Sequence, residues 1–283
     1  MQKSIVLTLL LTFTVYSYSQ NKPAYKLFNS KGHKISYKKV IKKMKRADIV
    51  LFGELHNNPI VHWLQYELTK DIAVGQDLVL GSEMLEADNQ KALNDYLEGA
   101  VNQQALDTLA RLSKNYQTDY KPLVDLAKNH KIPFIATNIP RRFAKKVFRT
   151  GLESLDSLSM EEKSWMAPLP LKYDASLSQY VKMKAMMGGH GGDNLPKAQA
   201  CKDATMAYFI LKNKGNSLFI HYNGAYHSDY HEGIYWYLKQ ANPQLKILTI
   251  TVEEQASIKK FNKEIKGKAD VIIVTPTSMT KTY

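Results

Sequence analysis

The chain has 283 residues, of which 44% are hydrophobic, and its formal net charge is +13. This length and hydrophobic content suit one large domain with a substantial core, and they exclude a chain that is disordered along most of its length. Cys201 is the one cysteine of the sequence, so an intramolecular disulfide is excluded as well.

The first 20 residues have the pattern of a secretory signal peptide. Lys3 is their only charged side chain, and an apolar stretch runs from Ile5 to about Val15 before a polar exit. The apolar run is short for a membrane span, and no cysteine stands directly after it to accept a lipid. We therefore expect residues 1–20 to be a signal peptide and 21–283 to be a single domain. The mature protein should be exported to the periplasm or cell envelope, soluble or peripherally attached to the membrane.

A dense basic stretch runs from Lys31 to Arg46. Export argues against nucleic acid as its partner. The spacing of Val40, Ile41 and Met44 is typical of an amphipathic helix whose lysines face solvent. Attraction to an anionic envelope surface, or to a ligand that bears carboxylates, stays open.

Apolar runs and helical patterns alternate along the rest of the chain, which predicts an α/β fold with a mostly parallel sheet covered by helices. The predicted strands are 48–52, 78–82, 134–137, 217–221, 245–252 and 271–274. The predicted helices are 60–70, 88–98, 120–129, 141–152, 198–212 and 234–240. Residues 154–196 break the alternation, so we expect a helical insertion or lid between the third and fourth predicted strands.

Reactive side chains follow three of the predicted strands. Glu54 and His56 lie in the turn after the first strand, Glu83 follows the second, and His227 lies in a similar Gly-x-x-His turn after the fourth. Open α/β sheets bind ligands at the carboxyl ends of their strands. We expect these four residues to share one crevice, with Glu83 beside Glu54. There they would hold a divalent metal or act as an acid/base pair.

Each of these residues, taken alone, also has a simple structural interpretation. A single Glu or His at a strand end often caps a helix or is solvated, but placement at three strand ends of one edge favours a site. Tyr222 and Tyr226 would line a planar ligand or pack in the core. Met187, in the insertion, would contact the same ligand or pack within the lid. Asn138 and Arg141, after the third strand, would bind a carboxylate of the substrate or be solvated.

The chain resembles a known family, the ChaN-like haem-binding proteins, within the superfamily of TIKI proteases and erythromycin-esterase-like enzymes. The resemblance rests on five segments in this order: Phe52 to Pro59, Ser82-Glu83-Met84, Thr137 to Arg142, Lys202 to Ala207, and Asn223 to His227. It implies an exported α/β protein with a helical insertion that binds haem, in some members as paired haems at a homodimer interface with a tyrosine on the iron. The superfamily implies a different use, hydrolysis at the Gly-x-x-His turns and the glutamate, with a metal in the TIKI branch.

Two functions therefore compete. In the first, the protein binds haem for haem or iron uptake, with Tyr173 or His190 of the insertion as axial ligand and the Met- and Tyr-rich lid as the apolar slot. Tyr173 follows the rigid Pro168-Leu169-Pro170 turn, so we expect it to hold the iron while His190 assists on the far face. In the second, the crevice of Glu54, His56, Glu83 and His227 is a hydrolase site, with Arg141 near an anionic substrate.

Overall fold

The computed structural model describes residues 22–186 and 192–283. Within them strands and helices alternate from β2 to β6, with further helices between β3 and β4 and between β4 and β5, and a single 3-10 turn separates β6 from β7. The strands are β1 (Lys26–Asn29), β2 (Ile49–Glu54), β3 (Leu78–Glu86), β4 (Phe134–Asn138), β5 (Leu218–Gly224), β6 (Ile247–Gln255) and β7 (Val271–Pro276). The helices are α1 (Tyr37–Met44), α2 (Pro59–Ala73), α3 (Gln90–Leu97), α4 (Gln103–Leu109), α5 (Lys121–His130), α6 (Arg141–Thr150), α7 (Met160–Lys163), α8 (Ser178–Met186), α9 (Asn194–Asn213) and α10 (Ile234–Ala241).

The strands form one seven-stranded sheet in the order β1-β7-β6-β2-β5-β3-β4. β1 pairs with β7 in the antiparallel sense, and the other neighbours are parallel. Apolar clusters lie on both faces, one with Val50, Phe52 and Leu64 and the other with Leu51, Phe219 and Ile210. The predicted fold class is confirmed: the sheet is mostly parallel and helices cover it.

The predicted strands are all present, and β1 is an addition that the sequence did not predict. Every residue of β2 and of β5 is buried, as expected for continuous apolar runs in the middle of a parallel sheet. Both strands also extend past their apolar runs, to Glu54 and Gly224. α2 begins where the side chain of Asn58 accepts a hydrogen bond from the Val61 N–H, with Pro59 in the first turn. Because β2 extends to Glu54, the carboxylate that follows its apolar run belongs to the strand itself and not to the turn after it.

The described part of the insertion carries α7, α8 and the beginning of α9 between β4 and β5. A separate apolar cluster joins this region to α6 and α9 through Phe143, Val147, Leu155, Met166 and Cys201. Residues 1–20, Met187 and His190 lie outside the described residues. The helices of the described segments include none that combines the length and the apolar composition needed to cross a membrane.

Candidate functional site

The carboxyl ends of β2, β5 and β3 meet at one edge of the sheet. Glu54 is in register with Gly224 across the parallel β2–β5 pair, and Ser82 is in register with Tyr222 across the β3–β5 pair. The sequence prediction that Glu83 lies directly beside Glu54 is wrong, because β5 separates the two strands. The two carboxylates instead lie on either side of the β5 end, at Gly224.

The carboxylate of Glu54 is buried and fully engaged. Its Oε1 accepts hydrogen bonds from His56 Nδ1 at 2.9 Å and from the Tyr120 hydroxyl at 2.6 Å. Its Oε2 accepts one from the Gln65 amide at 2.7 Å. Burial alone would raise the pKa of Glu54, but the hydrogen bond from His56 and the charges of His62 and His56 outweigh it and lower the pKa. Glu54 is therefore an anion that orients its neighbours.

His56 is the most accessible group of the crevice, with 42% of its side chain exposed. Its Nδ1 is held by Glu54, so its Nε2 points towards Gly224, where a methyl group would lie 3.0 Å from that nitrogen. The hydrogen bond to Glu54 raises the pKa of His56, against the opposing effect of burial. Glycine at 224 thus leaves space for a basic ring nitrogen above the strand end.

Glu83 and His227 form a second carboxylate–imidazole pair, which continues to Asp203. Glu83 Oε2 accepts the backbone N–H of Gly224 at 2.7 Å, and its Oε1 lies 3.0 Å from His227 Nε2. On the other side of the ring, His227 Nδ1 lies 2.5 Å from Asp203 Oδ1. Asp203 Oδ2 in turn accepts the hydroxyl of Tyr180 at 2.7 Å. The chain of contacts runs from the sheet edge through α9 to α8.

The charges of this chain stabilise each other. Burial lowers the pKa of His227, but the negative charges of Glu83 and Asp203 and their hydrogen bonds outweigh it and raise the pKa to about 9. Burial likewise opposes ionisation of Glu83, yet the charge of His227 holds the pKa of that carboxyl well below its usual range. His227 is therefore a cation near neutral pH, with both ring nitrogens donating to carboxylates.

The backbone after His227 is held in an uncommon conformation. Tyr230 and His231 have φ of 59° and 61°, and Gly233 has φ of 57°. A methyl group at Gly233 would lie 2.3 Å from the carbonyl oxygen of His227. Left-handed non-glycine residues cost free energy and often cluster at functional sites. Here they lie in the loop that follows His227, whose imidazole is held by Glu83 and Asp203.

The side chains of the crevice bind each other instead of converging on a common point. In residues 22–186 and 192–283, no group of three or more His, Cys, Asp or Glu side chains is arranged to hold a metal ion. The divalent metal at Glu54, His56, Glu83 and His227 thus stays a prediction. The arrangement does provide a basic nitrogen, Nε2 of His56, facing a carboxylate and a protonated imidazole, which is suited to proton transfer.

Tyr222 lies in the core, which was one of its two interpretations. It is 1% exposed, its ring lies 6.4 Å from those of Phe52 and Phe134, and its hydroxyl is 2.6 Å from Thr69 Oγ1. A ligand on the protein surface does not reach this hydroxyl. Every residue of β5 is buried, so the strand lacks the alternation of apolar and polar residues that tells which side chains face the core. The sequence therefore did not decide between the two interpretations of Tyr222.

Tyr173 and Tyr226 lie near α8, and both are half-buried. The ring of Tyr173 stacks on that of Tyr180 at 5.8 Å between centroids. Tyr226 donates its hydroxyl to the carbonyl of Gln179. Burial raises the pKa of Tyr173, with a further contribution from the charges of Asp193 and Asp174. These two tyrosines are thus close to the insertion helix.

Asn138 ends β4, and Arg141 begins α6. β4 is the edge strand next to β3, which carries Glu83, while β3 and β5 separate it from Glu54. Arg141 is exposed, and it is the neighbouring Arg142 that forms an ion pair, at 2.6 Å with Asp88. The Oδ1 atom of Asn138 is buried without a hydrogen-bond partner in the described part of the protein. Their role in binding a carboxylate of the substrate stays a prediction.

Sequence reasoning missed several residues that support the crevice. Gln65 and Tyr120 hold Glu54, and His62 lies with its Nε2 3.1 Å from the carbonyl oxygen of His56. Asp203 belongs to one of the five segments that carry the family resemblance, Lys202 to Ala207, but its contact with His227 was not predicted. A signal was available for it: an acidic side chain in the apolar middle of a helix, where burial requires a partner.

Comparison with known proteins gives one family and several related folds. The family model described as haem-binding uptake, Tiki superfamily, ChaN matches residues 40–238. Among solved structures, the chain is similar to ChaN of Campylobacter jejuni, described with cofacial heme binding, at 18% identity and a TM-score of 0.67 over 89% of this chain and 96% of that chain.

Two further structures share the fold. A protein from Bacillus cereus is 12% identical, with a TM-score of 0.53 over 84% of this chain and 90% of its own. A succinoglycan biosynthesis protein is 10% identical, with a TM-score of 0.54 over 86% of this chain and 91% of its own. No curated protein sequence is similar enough to match. At these identities the structural likenesses establish the architecture alone.

Proposed function

Because the chain belongs to the ChaN family of haem-binding uptake proteins in the Tiki superfamily, we propose that it binds haem and acts, as an exported protein, in haem or iron uptake. The family match carries the proposal, since it extends from α1 into α10 and so includes the insertion. The signal-peptide pattern of residues 1–20 supports export. The cofacial heme binding described for the Campylobacter jejuni protein supports haem as the ligand. We also propose a homodimer as the binding form, as the family resemblance implies.

The described part of the insertion has the chemical features that haem requires. Tyr173 presents a half-buried phenol as an iron ligand, backed by the ring of Tyr180. α8 exposes apolar side chains to cover the porphyrin, because Val181 is 52% and Met186 is 81% exposed. Lys182, also exposed, supplies a cation for the two carboxylates of haem. We place haem on this surface, with Tyr173 as ligand.

A hemin titration followed by visible absorption tests the proposal. The Soret band should shift and saturate at a low ratio of hemin to protein. The Tyr173→Phe variant should lose the high-spin, charge-transfer signature of phenolate ligation, while Tyr66→Phe, which changes another half-buried tyrosine on α2, should keep it. An unchanged signature in Tyr173→Phe would move the ligand to another residue, and no Soret shift in the wild type would reject haem binding.

A second candidate function is hydrolysis in the crevice. The observation that favours it is the placement of His56 Nε2 and the Glu83 carboxylate on the two sides of Gly224, with the imidazole accessible to solvent. Glu54 holds the Nδ1 side of His56, so Nε2 is the nitrogen that would take a proton from an attacking water. In the described part of the chain the side chains of the crevice pair with each other, and no group of three or more is arranged to hold a metal ion.

Hydrolysis of a panel of activated esters and peptides tests this second function. His56→Gln should lower any activity by at least about 100-fold, the usual contribution of a general base, while hemin affinity stays unchanged. Elemental analysis of the untreated protein tests the predicted divalent metal at the same time. Equal activity in the wild type and in His56→Gln would reject the crevice as a catalytic site.

A further inference from the structure

Helix α1 forms a strongly basic part of the surface. The segment 31–47 contains no Asp or Glu. Val40 and Met44 are buried against the core, which leaves Lys38, Lys39 and Lys42 exposed to solvent. This arrangement concentrates positive charge on one side of a short helix.

Aromatic side chains lie beside this helix. Trp63 is 51% exposed and packs edge-on against Tyr25, with ring centroids 6.0 Å apart. Tyr25 also lines a surface groove of about 400 Å³, together with Lys34 and with Tyr37, the first residue of α1. The groove therefore connects the aromatic pair to the basic helix as one surface. We call it the basic aromatic face, and it consists of Tyr25, Lys34, Lys38, Lys39, Lys42 and Trp63.

Like charges are also crowded at the groove. Burial, and then the positive charges of Lys34 and Lys259, lower the pKa of Lys26, which lines the groove as well. An anion bound at this place would relieve that repulsion. The acidic neighbours of the face are Asp71, which accepts the hydroxyl of Tyr37, and Glu67. The lysines outnumber them, so the face combines an excess of cations with an exposed tryptophan and a tyrosine.

We propose that the basic aromatic face docks the protein on a membrane surface rich in anionic lipid headgroups. Lysines attract such a surface, and Trp and Tyr favour the boundary between headgroups and acyl chains. Basic residues with an adjacent aromatic anchor are the usual composition of peripheral membrane-binding surfaces. The inference does not depend on haem binding, since it concerns α1 and α2 and not the insertion. The lysines of the face would contact the anionic headgroups, and Trp63 and Tyr25 would enter the headgroup boundary.

Sedimentation with vesicles tests the docking surface. The full chain is incubated with vesicles of phosphatidylglycerol and phosphatidylcholine, and with phosphatidylcholine alone. Because each lysine near an anionic surface contributes about a fivefold factor in partitioning, the variant Lys38→Glu/Lys39→Glu/Lys42→Glu should bind the anionic vesicles at least about 100-fold more weakly. The matched variant Lys114→Glu/Lys145→Glu/Lys212→Glu changes the net charge equally at exposed positions elsewhere, and it should lose no more than about threefold.

Tryptophan fluorescence gives a second readout on the same protein. Anionic vesicles should shift the emission of the wild type to shorter wavelength, and most of this shift should be absent in Trp63→Phe, whose fold is checked by circular dichroism. Equal binding to phosphatidylcholine alone, or equal losses in both lysine variants, would overturn the proposal. Tighter binding to single-stranded DNA than to anionic vesicles would overturn it too, and would assign the face to nucleic acid.

Discussion

The crevice and the insertion are built in opposite ways. In the crevice, Glu54 and Glu83 are buried, and each carboxylate oxygen is held by a neighbour from the protein itself. On the insertion, Tyr173 is half-buried, while Val181 and Met186 lie open to solvent. A pre-organised polar network suits proton transfer, whereas an open apolar surface suits a large flat ligand. The comparison separates the two candidate functions in space.

The two regions nevertheless share one junction, Asp203. Its Oδ1 contacts His227 of the crevice, and its Oδ2 accepts the hydroxyl of Tyr180 on α8. Glu232, in the loop after His227, also accepts the backbone N–H groups of Ser178 and Gln179 at the start of α8. The insertion helix is therefore attached to the loop that positions His227. Changes at this junction should affect both regions, and changes elsewhere should affect only one.

The largest effect is expected for Asp203→Ala. The variant leaves the buried cation of His227 with one carboxylate and the buried hydroxyl of Tyr180 without an acceptor. Removing one member of a buried charged network costs about 3–5 kcal/mol of the free energy of unfolding. Urea unfolding should show this loss, together with weaker hemin binding. Asp203→Asn keeps a hydrogen-bond acceptor and should lose less unfolding free energy. A cost below about 1 kcal/mol for Asp203→Ala would show that Asp203 does not couple the crevice to the insertion.

A smaller effect is expected at Gly53, within the crevice alone. In Gly53→Ala the new methyl group would lie 2.9 Å from Ala225 Cα and 3.0 Å from the carbonyl oxygen of Ile250. Both are backbone atoms in the packed sheet, so we expect a loss of about 1–3 kcal/mol in unfolding free energy.

Gly224→Ala is the matched control for that change. Its methyl group meets the side chain of His56, which is part-exposed and moves at the cost of its hydrogen bond to Glu54, whereas the backbone atoms around Gly53 do not move. The control should therefore be less destabilised in urea than Gly53→Ala, with a changed His56 titration. If the Gly224 variant is the less stable of the two, then His56 is held more rigidly than its exposure indicates.

The strand ends explain how much of this was predictable from the sequence. Apolar runs that end in Glu54, Glu83 and His227 were sufficient to predict the sheet and the edge that carries these residues. The order of the strands could not be predicted, because a hydrophobic pattern does not encode which parallel strands pair. β5 lies between β2 and β3, so Glu83 is not a direct neighbour of Glu54.

Contacts between residues far apart in the sequence could not be predicted either. Asp203 and His227 are in different elements, and the hydrogen bond from Tyr120 to Glu54 joins residues 66 positions apart. Such partners follow from tertiary packing and not from local spacing. For the same reason the sequence leaves both interpretations of Tyr222 open, and the packing of its ring against Phe52 and Phe134 shows that it belongs to the core.

The pH dependence of stability provides a test of the Glu83–His227 pair. The folded-state pKa of His227, about 9, exceeds the unfolded value of about 6.5. Its stabilising contribution is therefore complete below about pH 6.5 and is lost as the pH rises through about 9. In Glu83→Gln the charge that raises this pKa is removed, so the loss should still begin near pH 6.5 but be complete at lower pH and be smaller in total. The variant should also cost about 1–2 kcal/mol at neutral pH.

Urea unfolding between pH 6 and 10, with NMR titration of the imidazole, measures both effects of Glu83→Gln. Glu86→Gln changes an acid farther along β3 and is the control, since Glu86 pairs with Arg111 and not with His227. An unchanged His227 titration in Glu83→Gln would mean that Asp203 alone maintains the charge of the ring. Hemin affinity should stay the same in both variants, because neither residue lies on the insertion surface.

The smallest effect on stability, and the sharpest contrast with the crevice, is expected for Val181→Ser/Met186→Ser. These side chains are 52% and 81% exposed, so their replacement should change the free energy of unfolding by less than about 0.5 kcal/mol. If they cover a porphyrin, the lost apolar contact should weaken hemin binding by at least about tenfold, since burying one such side chain contributes about 1.5–3 kcal/mol. Leu109→Ser, a change at another exposed apolar side chain on α4, should leave hemin affinity unaltered. Equal hemin affinity in the wild type, in Val181→Ser/Met186→Ser and in Leu109→Ser would place the haem away from α8.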